Sequence, residues 1–447
     1  MKNNQKKIIL FHGHHGYYHR PYHWVPTHML FLSALLVEKG YEPVIIDENN
    51  FYHDGSCIDA LIQEALFCGV SATTGNQITR GIDFSIKVRA LRPDCKIIWG
   101  GPHVSALPLE SLREDYIDMV CTGRGELTLV ALASVIENNG PLLDVPGIYF
   151  KDNGHVKRNE VVPPPKLKDF QPFPYDILNM NGYLNPETMV LNYQSSIGCI
   201  GSCSFCYWYG KHPIDRKNLD VVFDEIEHLY KTYNLTSIYF DDPDFFQGRS
   251  FVRQFLDRLE NSSLRFHWGA CGRPDVLSKY PEEIFQKAAD LGLHRIFVGM
   301  ESGSPKMLKK MNKGTTQEQM LRVAELTKDM NIELYLGIIA CVLGETIEDL
   351  ILSGEIIQKL RKIKSQIGYQ VANFTPYPGL PLTKELEQIG RPIPTSLADW
   401  ATLERRSFPD IAPPFWIQDK HKYQEVFSKY LGDPTSVTYK PAGGTPK

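Results

Sequence analysis

Three cysteines stand within eight residues in the segment SIGCIGSCSFCYWYG: Cys199, Cys203 and Cys206. Thiolates are metal ligands, and ordinary packing does not ask for three of them on one loop. The C-x2-C half of the pattern suits zinc, but a structural zinc site usually draws four N or S ligands from paired clusters. No second pair lies downstream, where Cys271 and Cys341 are isolated. Three thiols on one loop instead suit three irons of a [4Fe–4S] cluster, with the fourth iron left open to another ligand. Gly198 and Gly201 give the backbone freedom to wrap a cuboidal group. Cys57, Cys68, Cys95 and Cys121 lie in or beside apolar segments and read as packing residues. The odd total of nine cysteines argues against a disulfide framework.

The elements that must position this loop follow a β-α rhythm. From residue 189, MVLNYQSSIG leads into the cysteine loop, and strands follow at Ser237–Asp242, Arg265–Gly272, His294–Glu301, Glu333–Val342 and Tyr369–Phe374. Helical segments separate them. Six strands fall short of an eight-fold barrel but suit a partial one, in which the loops after the strands build the site. The first third has the same rhythm, with strands at Lys7–Gly13, Tyr41–Asp47, Phe67–Gly75, Cys95–Gly101 and Asp118–Gly123. This predicts a doubly wound, five-stranded parallel sheet with a ligand beyond the strands' carboxyl ends. Those ends are rich in Gly, Ser and Thr, and no G-x-G-x-x-G follows the first strand, which disfavours a dinucleotide.

A hairpin is expected over Gly147–Arg158, and the five prolines of Val161–Pro174 read as an extended linker. The expected organisation is therefore α/β throughout: residues 1–145 a doubly wound domain, 146–188 hairpin and linker, 189–385 a partial (β/α)6 barrel, and 386–447 a small C-terminal cap. Of 447 residues, 43% are hydrophobic and 22% charged, and 48 Lys and Arg face 52 Asp and Glu, for a net charge of −4. That balance excludes a polybasic tract and disfavours nucleic acid as a partner. No apolar run approaches the roughly 20 residues of a spanning helix. The expectation is a cytoplasmic protein with no membrane association.

The sequence resembles the radical S-adenosylmethionine (SAM) superfamily, whose signature is C-x3-C-x-Φ-C with Φ aromatic; here it is Cys199, Cys203, Phe205 and Cys206. The resemblance extends through YFDDPDF (Tyr239–Phe245), GMESGSPKMLKKMNKGTT (Gly299–Thr316) and LGIIACVLGETIED (Leu336–Asp349). The last departs from the usual G-x-P-G-E-T, reading Cys341–Val342–Leu343–Gly344–Glu345–Thr346. The resemblance implies a [4Fe–4S] cluster on the three cysteines and SAM as co-substrate. It implies SAM contacts at Phe205, Asp241, Asp242, Arg273, Glu301 and Ser302, with Arg273 paired to the SAM carboxylate. Asp241 and Asp242 also read as helix-capping residues before Pro243, and Arg273 as half of a structural salt bridge.

The first domain resembles the cobalamin-binding domain that precedes many radical SAM domains, on VSATTGNQ (Val70–Gln77), IIWGGPHVSALP (Ile97–Pro108) and CTGRGELTL (Cys121–Leu129). This resemblance implies cobalamin contacts at Ser71, Thr73, Thr74, Gly100, Gly101, His103, Gly123 and Glu126. The D-x-H-x-x-G motif that supplies a histidine to cobalt elsewhere is absent. Six of the fourteen histidines, His12, His14, His15, His19, His23 and His28, cluster with Tyr17, Tyr18, Tyr22 and Trp24 at the end of the first strand. They read as a cofactor or substrate pocket, a polar surface loop, or a metal site.

Together these resemblances imply an enzyme that methylates an unactivated carbon of a small molecule through a 5′-deoxyadenosyl radical and methylcobalamin. A flavodoxin or ferredoxin would serve as electron donor. Two alternatives stand beside it: radical chemistry without methyl transfer (a cyclase, rearrangement, dehydratase or epimerase, with the B12 domain accessory or vestigial), and a non-enzymatic iron–sulfur sensor.

Overall fold

Runs such as KIILFH have no polar alternation, and in a parallel sheet covered by helices on both faces none is needed. Ile8, Ile9, Leu10 and Phe11 are all buried in strand β1 (Lys7–His12). The structure, a computed structural model, describes residues 6–15, 24–50, 55–184, 188–208, 212–403 and 416–432. The chain divides into two compact units. The first takes the described residues of Met1–Leu184, Tyr377–Gly379 and Glu387–Glu404; the second takes those of Asn185–Pro376, Leu380–Leu386 and Arg405–Lys447. Among the described residues, no helix is long and apolar enough to cross a membrane.

In the first unit β1 is joined by β2 (Glu42–Asp47), β3 (Ala65–Ser71), β4 (Lys96–Gly100) and β5 (Met119–Cys121). With β6 (Ile148–Asp152) and β7 (His155–Arg158) they form one sheet in the order β2-β1-β3-β4-β5-β6-β7. The first five strands are parallel, and the hairpin extends the sheet antiparallel at its edge. The helix Asn76–Leu91 lies so close to the sheet that a Cβ at Gly81 would come within 2.7 Å of the buried Trp99 ring.

Three expectations need correction here. The proline-rich segment is not a free linker: Leu167, Phe170, Phe173 and Tyr175 are buried, and the Phe31 ring lies 6.1 Å from Phe170 and 4.6 Å from Phe173. The prolines extend the backbone, but the aromatic residues between them cover the apolar face of the helix Thr27–Glu38. Nor is the C-terminal stretch one cap. Leu397 and Trp400 join the core of the first unit, whereas Tyr423, Phe427 and Leu431 of the helix Lys420–Leu431 are buried in the second. Cys57, expected as a packing residue, is exposed, because the helix Gly55–Glu64 buries only Ile62.

The second unit is a six-stranded, wholly parallel sheet: β8 (Val190–Tyr193), β11 (Ser237–Phe240), β12 (His267–Gly272), β13 (Leu293–Glu301), β14 (Glu333–Ala340) and β15 (Ile367–Asn373), in that order. Between β8 and β11, β9 (Ser196–Cys199) pairs antiparallel with β10 (His212–Arg216), so a short hairpin carries the cysteine loop. One face of the parallel sheet (Ile238, Trp268, Ile296, Val298, Leu334, Leu336) is fully buried. On the other, aromatic rings lie over glycines of the next strand. A Cβ at Gly269 would meet Tyr239 at 3.0 Å, one at Gly337 would meet Phe297 at 2.9 Å, and one at Gly368 would meet Tyr335 at 2.7 Å. These rings floor the half-open side, leaving the strands' carboxyl ends for chemistry.

Candidate cofactor sites

The cysteine loop follows β9 and is fastened from below. Ser204 donates its amide to the Met311 carbonyl at 2.9 Å, and Asn312 Nδ2 donates to the Ser202 carbonyl at 2.7 Å. Cys199 and Cys203 are buried, and Cys206 and Phe205 half-buried. Burial pushes the Cys199 thiol up and the Cys206 thiol to about 11, so as free thiols these groups are poor anions and need a cation to become thiolates. Donors face all three sulfurs: the Gly201 amide to Cys199 Sγ at 3.3 Å, Arg273 Nη1 to Cys203 Sγ at 3.4 Å, and the Trp208 amide to Cys206. Among the described residues, no group of three or more His, Cys, Asp or Glu converges on a single ion, which a mononuclear zinc site would require. A [4Fe–4S] cluster takes one thiolate on each of three irons and leaves the fourth to another ligand, which three thiols on one loop can supply. The loop fits that group.

Around the loop stand the carboxyl ends of β11, β12 and β13. Arg273, directly after β12, is 8% exposed. Besides Cys203, its guanidinium donates from Nε to Asp275 Oδ1 at 3.0 Å and from Nη2 to the Lys313 carbonyl at 2.6 Å. Expected as a partner of the SAM carboxylate, it is aimed first at the cysteine loop. Glu301 ends β13 at φ 62°, past a register shift, a left-handed conformation that non-glycine residues seldom adopt without a constraint. Its Oε1 receives Lys313 Nζ at 2.8 Å. Burial alone would lower Lys313, but Glu301 and the Cys203 sulfur beside it hold the ammonium above its usual range.

The two aspartates after β11 separate in role. Asp241 is open to solvent, yet desolvation by dense surroundings, with Asp242 beside it, pushes its carboxyl up to about 7. Asp242 is buried and engaged: it accepts from the Ser195 amide at 3.2 Å, from Ser195 Oγ at 2.8 Å and from Ser196 Oγ. It therefore anchors the start of the cysteine hairpin. Ser302 is likewise turned inward, within 3.2 Å of Ser353 Oγ and accepting the Ser304 amide at 3.1 Å. Sequence reasoning missed Lys313 and Asp244. Asp244 is buried with no hydrogen-bond partner on either carboxylate oxygen, and burial pushes it up to about 7 against the opposing charges of Arg273, Lys313 and Arg216. The third acid in DDPDF and the lysine in MNKG were the available signals.

In the first unit the named residues line the carboxyl ends of β3, β4 and β5. Ser71, Thr73, Gly100 and Gly101 are half-buried and Gly123 is exposed. Gly101 has φ 99°, and a Cβ there would stand 2.7 Å from the Ala72 carbonyl oxygen. These positions form a backbone-lined rim that a large, flat ligand can approach closely. Thr73 is held by Gln77 Oε1, at 3.0 Å from its amide and 2.7 Å from its hydroxyl. Thr74, His103 and Glu126 are turned inward. His103 is 0% exposed, with Nδ1 2.9 Å from Thr74 Oγ1 and its ring edge-on to Trp400. Glu126 pairs with Arg124 at 2.8 Å. These three brace the rim from within. The rim fits a cofactor bound largely through backbone contacts.

Of the clustered histidines, His19 and His23, with Tyr17, Tyr18 and Tyr22, lie outside the described residues. The rings of His15 and His28 lie 5.0 and 4.7 Å from that of His12, at the end of β1. Burial lowers His12 to about 3, which keeps it neutral.

Fold and site define a two-domain α/β protein with a thiol loop at the mouth of a partial barrel and a glycine-lined rim at the carboxyl ends of parallel strands. Residues 193–353 match the Radical SAM superfamily, and residues 19–133 match the B12 binding domain. The chain thus carries a radical SAM domain preceded by a B12-binding domain, and it is a radical SAM enzyme. A radical SAM domain implies a [4Fe–4S] cluster and SAM, and a B12-binding domain implies cobalamin. The chain is 27% identical over 354 residues to an uncharacterized methyltransferase (PH0819) of Pyrococcus horikoshii, covering 73% of each. It is 26% identical over 386 residues to the anaerobic magnesium-protoporphyrin IX monomethyl ester cyclase of Rubrivivax gelatinosus, covering 82% of this chain and 66% of that one. Its fold is similar to that of the cobalamin-dependent SAM radical enzyme OxsB, solved with aqua-cobalamin and SAM bound. The TM-score is 0.73 at 19% identity, over 87% of this chain and 61% of that one.

Proposed function

We propose that this enzyme is a cobalamin-dependent radical SAM methyltransferase acting on an unactivated carbon of a small molecule. The observation that carries the reading is the joint presence in one chain of two preformed sites: a thiol loop ringed by Arg273, Lys313 and Glu301, and the Gly100–Gly101 rim braced by His103 and Thr74. When bound, the cluster supplies the electron that opens SAM to a carbon radical, and cobalamin supplies a methyl carrier. The chain's own residues bind and orient. Cys199, Cys203 and Cys206 would hold the cluster. Glu301, beyond its bond to Lys313, and the accessible Asp241 would offer acceptors to the SAM ribose and amino group. Phe205 would shield the loop from water. Ser71, Thr73, Gly100, Gly101 and Gly123 would meet the corrinoid.

A small substrate agrees with the near-balanced charge, which offers a polyanion no favourable field. A flavodoxin- or ferredoxin-type donor in the cytoplasm belongs to the same proposal, because the cluster needs a low-potential electron. Anaerobically reconstituted protein given SAM, cobalamin and reductant should form S-adenosylhomocysteine and 5′-deoxyadenosine together. Formation of 5′-deoxyadenosine alone would refute methyl transfer and leave radical chemistry of another kind.

A further inference from the structure

We propose that Arg273 is a positioning residue for the iron–sulfur cluster: it holds a fixed cation and an N–H donor against Cys203 and so sets how readily the cluster takes up its electron. The guanidinium is clamped on three sides. Nη1 reaches Cys203 Sγ at 3.4 Å, Nη2 the Lys313 carbonyl at 2.6 Å, and Nε Asp275 Oδ1 at 3.0 Å. A planar fork held in this way is a fixed feature of the site, which a flexible lysine could not reproduce.

The loop is shaped to admit it. A Cβ at Gly201 would stand 2.6 Å from Nη1, 3.3 Å from Cζ and 3.3 Å from Cys199 Sγ. The glycine between the first two ligands therefore makes room for the guanidinium beneath the loop. The Lys313 ammonium, paired to Glu301, also lies near the Cys203 sulfur.

Reduction adds one electron to the cluster and its thiolates, with no bond formed or broken and no proton moved. The added negative charge is stabilised by a nearby fixed cation in a poorly solvated site. Hydrogen bonds to cluster sulfurs and local charge are the protein's means of adjusting such potentials. The inference rests on the cluster assignment above but not on methyl transfer, so failure to find a methylated product leaves it intact.

The test uses the anaerobically reconstituted full chain without SAM, poised at a potential where the parent cluster is half-reduced. Iron and sulfide are counted, and the reduced cluster is read by electron paramagnetic resonance. Arg273→Met should lower the reduced-to-oxidised ratio about tenfold, which is 59 mV for a one-electron couple. Arg273→Lys, which keeps the charge, should recover part of that loss. Gly201→Ala, which pushes the guanidinium off the sulfur while keeping it in the protein, should show a smaller fall than Arg273→Met. A fully loaded Arg273→Met protein with the parent's ratio would overturn the proposal. If that variant binds too little iron to read, unchanged ratios in both Arg273→Lys and Gly201→Ala would overturn it. A variant set that lowers SAM affinity while leaving the SAM-free ratio untouched would assign Arg273 to SAM instead, and would overturn it equally.

Discussion

Lys313 Nζ lies 2.8 Å from Glu301 Oε1, and Gly299 makes the space for the pair: a Cβ at Gly299 would stand 2.7 Å from Nζ and 2.6 Å from Oε1. Lys313 is 5% exposed, so this is an ion pair largely removed from water. Removing one member of such a pair strands the other, at a cost of about 3–5 kcal/mol. Lys313→Met should therefore lower the denaturant midpoint and also weaken SAM binding, because Glu301 loses the ammonium that orients it. The double variant Lys313→Met with Glu301→Gln should lose less stability than the two single losses added together. Strict additivity in denaturation curves would rule the coupling out.

Each of Cys199, Cys203 and Cys206 changed to alanine should remove most of the bound iron and the associated visible absorbance after reconstitution. Changing Cys271, whose thiol is 3.2 Å from the Tyr239 hydroxyl on the half-open face of the sheet, should leave the iron content unchanged. Equal iron loss from Cys271→Ala would break the assignment of the ligand set.

At Gly101 a side chain meets two obstacles. Its φ of 99° suits glycine, and its Cβ would press on the Ala72 carbonyl. Held strain of this kind costs on the order of 1–3 kcal/mol. Gly101→Ala should thus destabilise the first unit and weaken cobalamin binding, read by thermal melting and by absorbance titration with hydroxocobalamin. At Gly123, by contrast, a Cβ would meet nothing within 4 Å despite φ 77°, so alanine there should cost only the backbone strain. Equal losses at the two positions would mean that contact with Ala72 is irrelevant.

Much of this architecture was legible in sequence because it is local. The C-x3-C-x2-C spacing, the βα rhythm and the glycines after β4 are each contained in a few residues. What escaped is what strands bring together from afar. Lys313 looks like one more cation in KMLKKMNKG until β13 folds Glu301 beside it. Arg273 reads equally well as a salt-bridge residue or a carboxylate binder, and only the cysteine loop's position decides that it faces a sulfur. His103 sits in a glycine-rich loop, as ligand contacts often do, yet its ring is turned into the core against Trp400, nearly 300 residues later in the chain. The proline-rich segment misled for a related reason: composition sets the backbone's extension, but Phe170 and Phe173 settle whether it is solvated.

The carboxyl end of β14 makes stability depend on pH in an uncommon direction. Glu345 is buried, accepting the Cys341 amide at 2.7 Å and the Tyr423 hydroxyl at 3.1 Å. Burial pushes its carboxyl up to about 8, more than those two bonds and the Lys306 charge pull it down, while Asp349 pushes the same way. The folded protein therefore binds a proton here that the unfolded chain, with an ordinary carboxyl near 4.5, has already released. The stability this contributes is complete below the unfolded value, and it is lost as pH rises through about 8. The slope can reach roughly 1.4 kcal/mol per pH unit. Asp244, buried and pushed to about 7, acts in the same direction over a narrower window. Glu345→Gln keeps an acceptor for Cys341 and Tyr423 but has no proton to lose. Between about pH 5 and pH 9 the parent's urea midpoint should fall, and the variant's should fall distinctly less. Parallel declines in the two proteins would mean that Glu345 is already ionised in the fold.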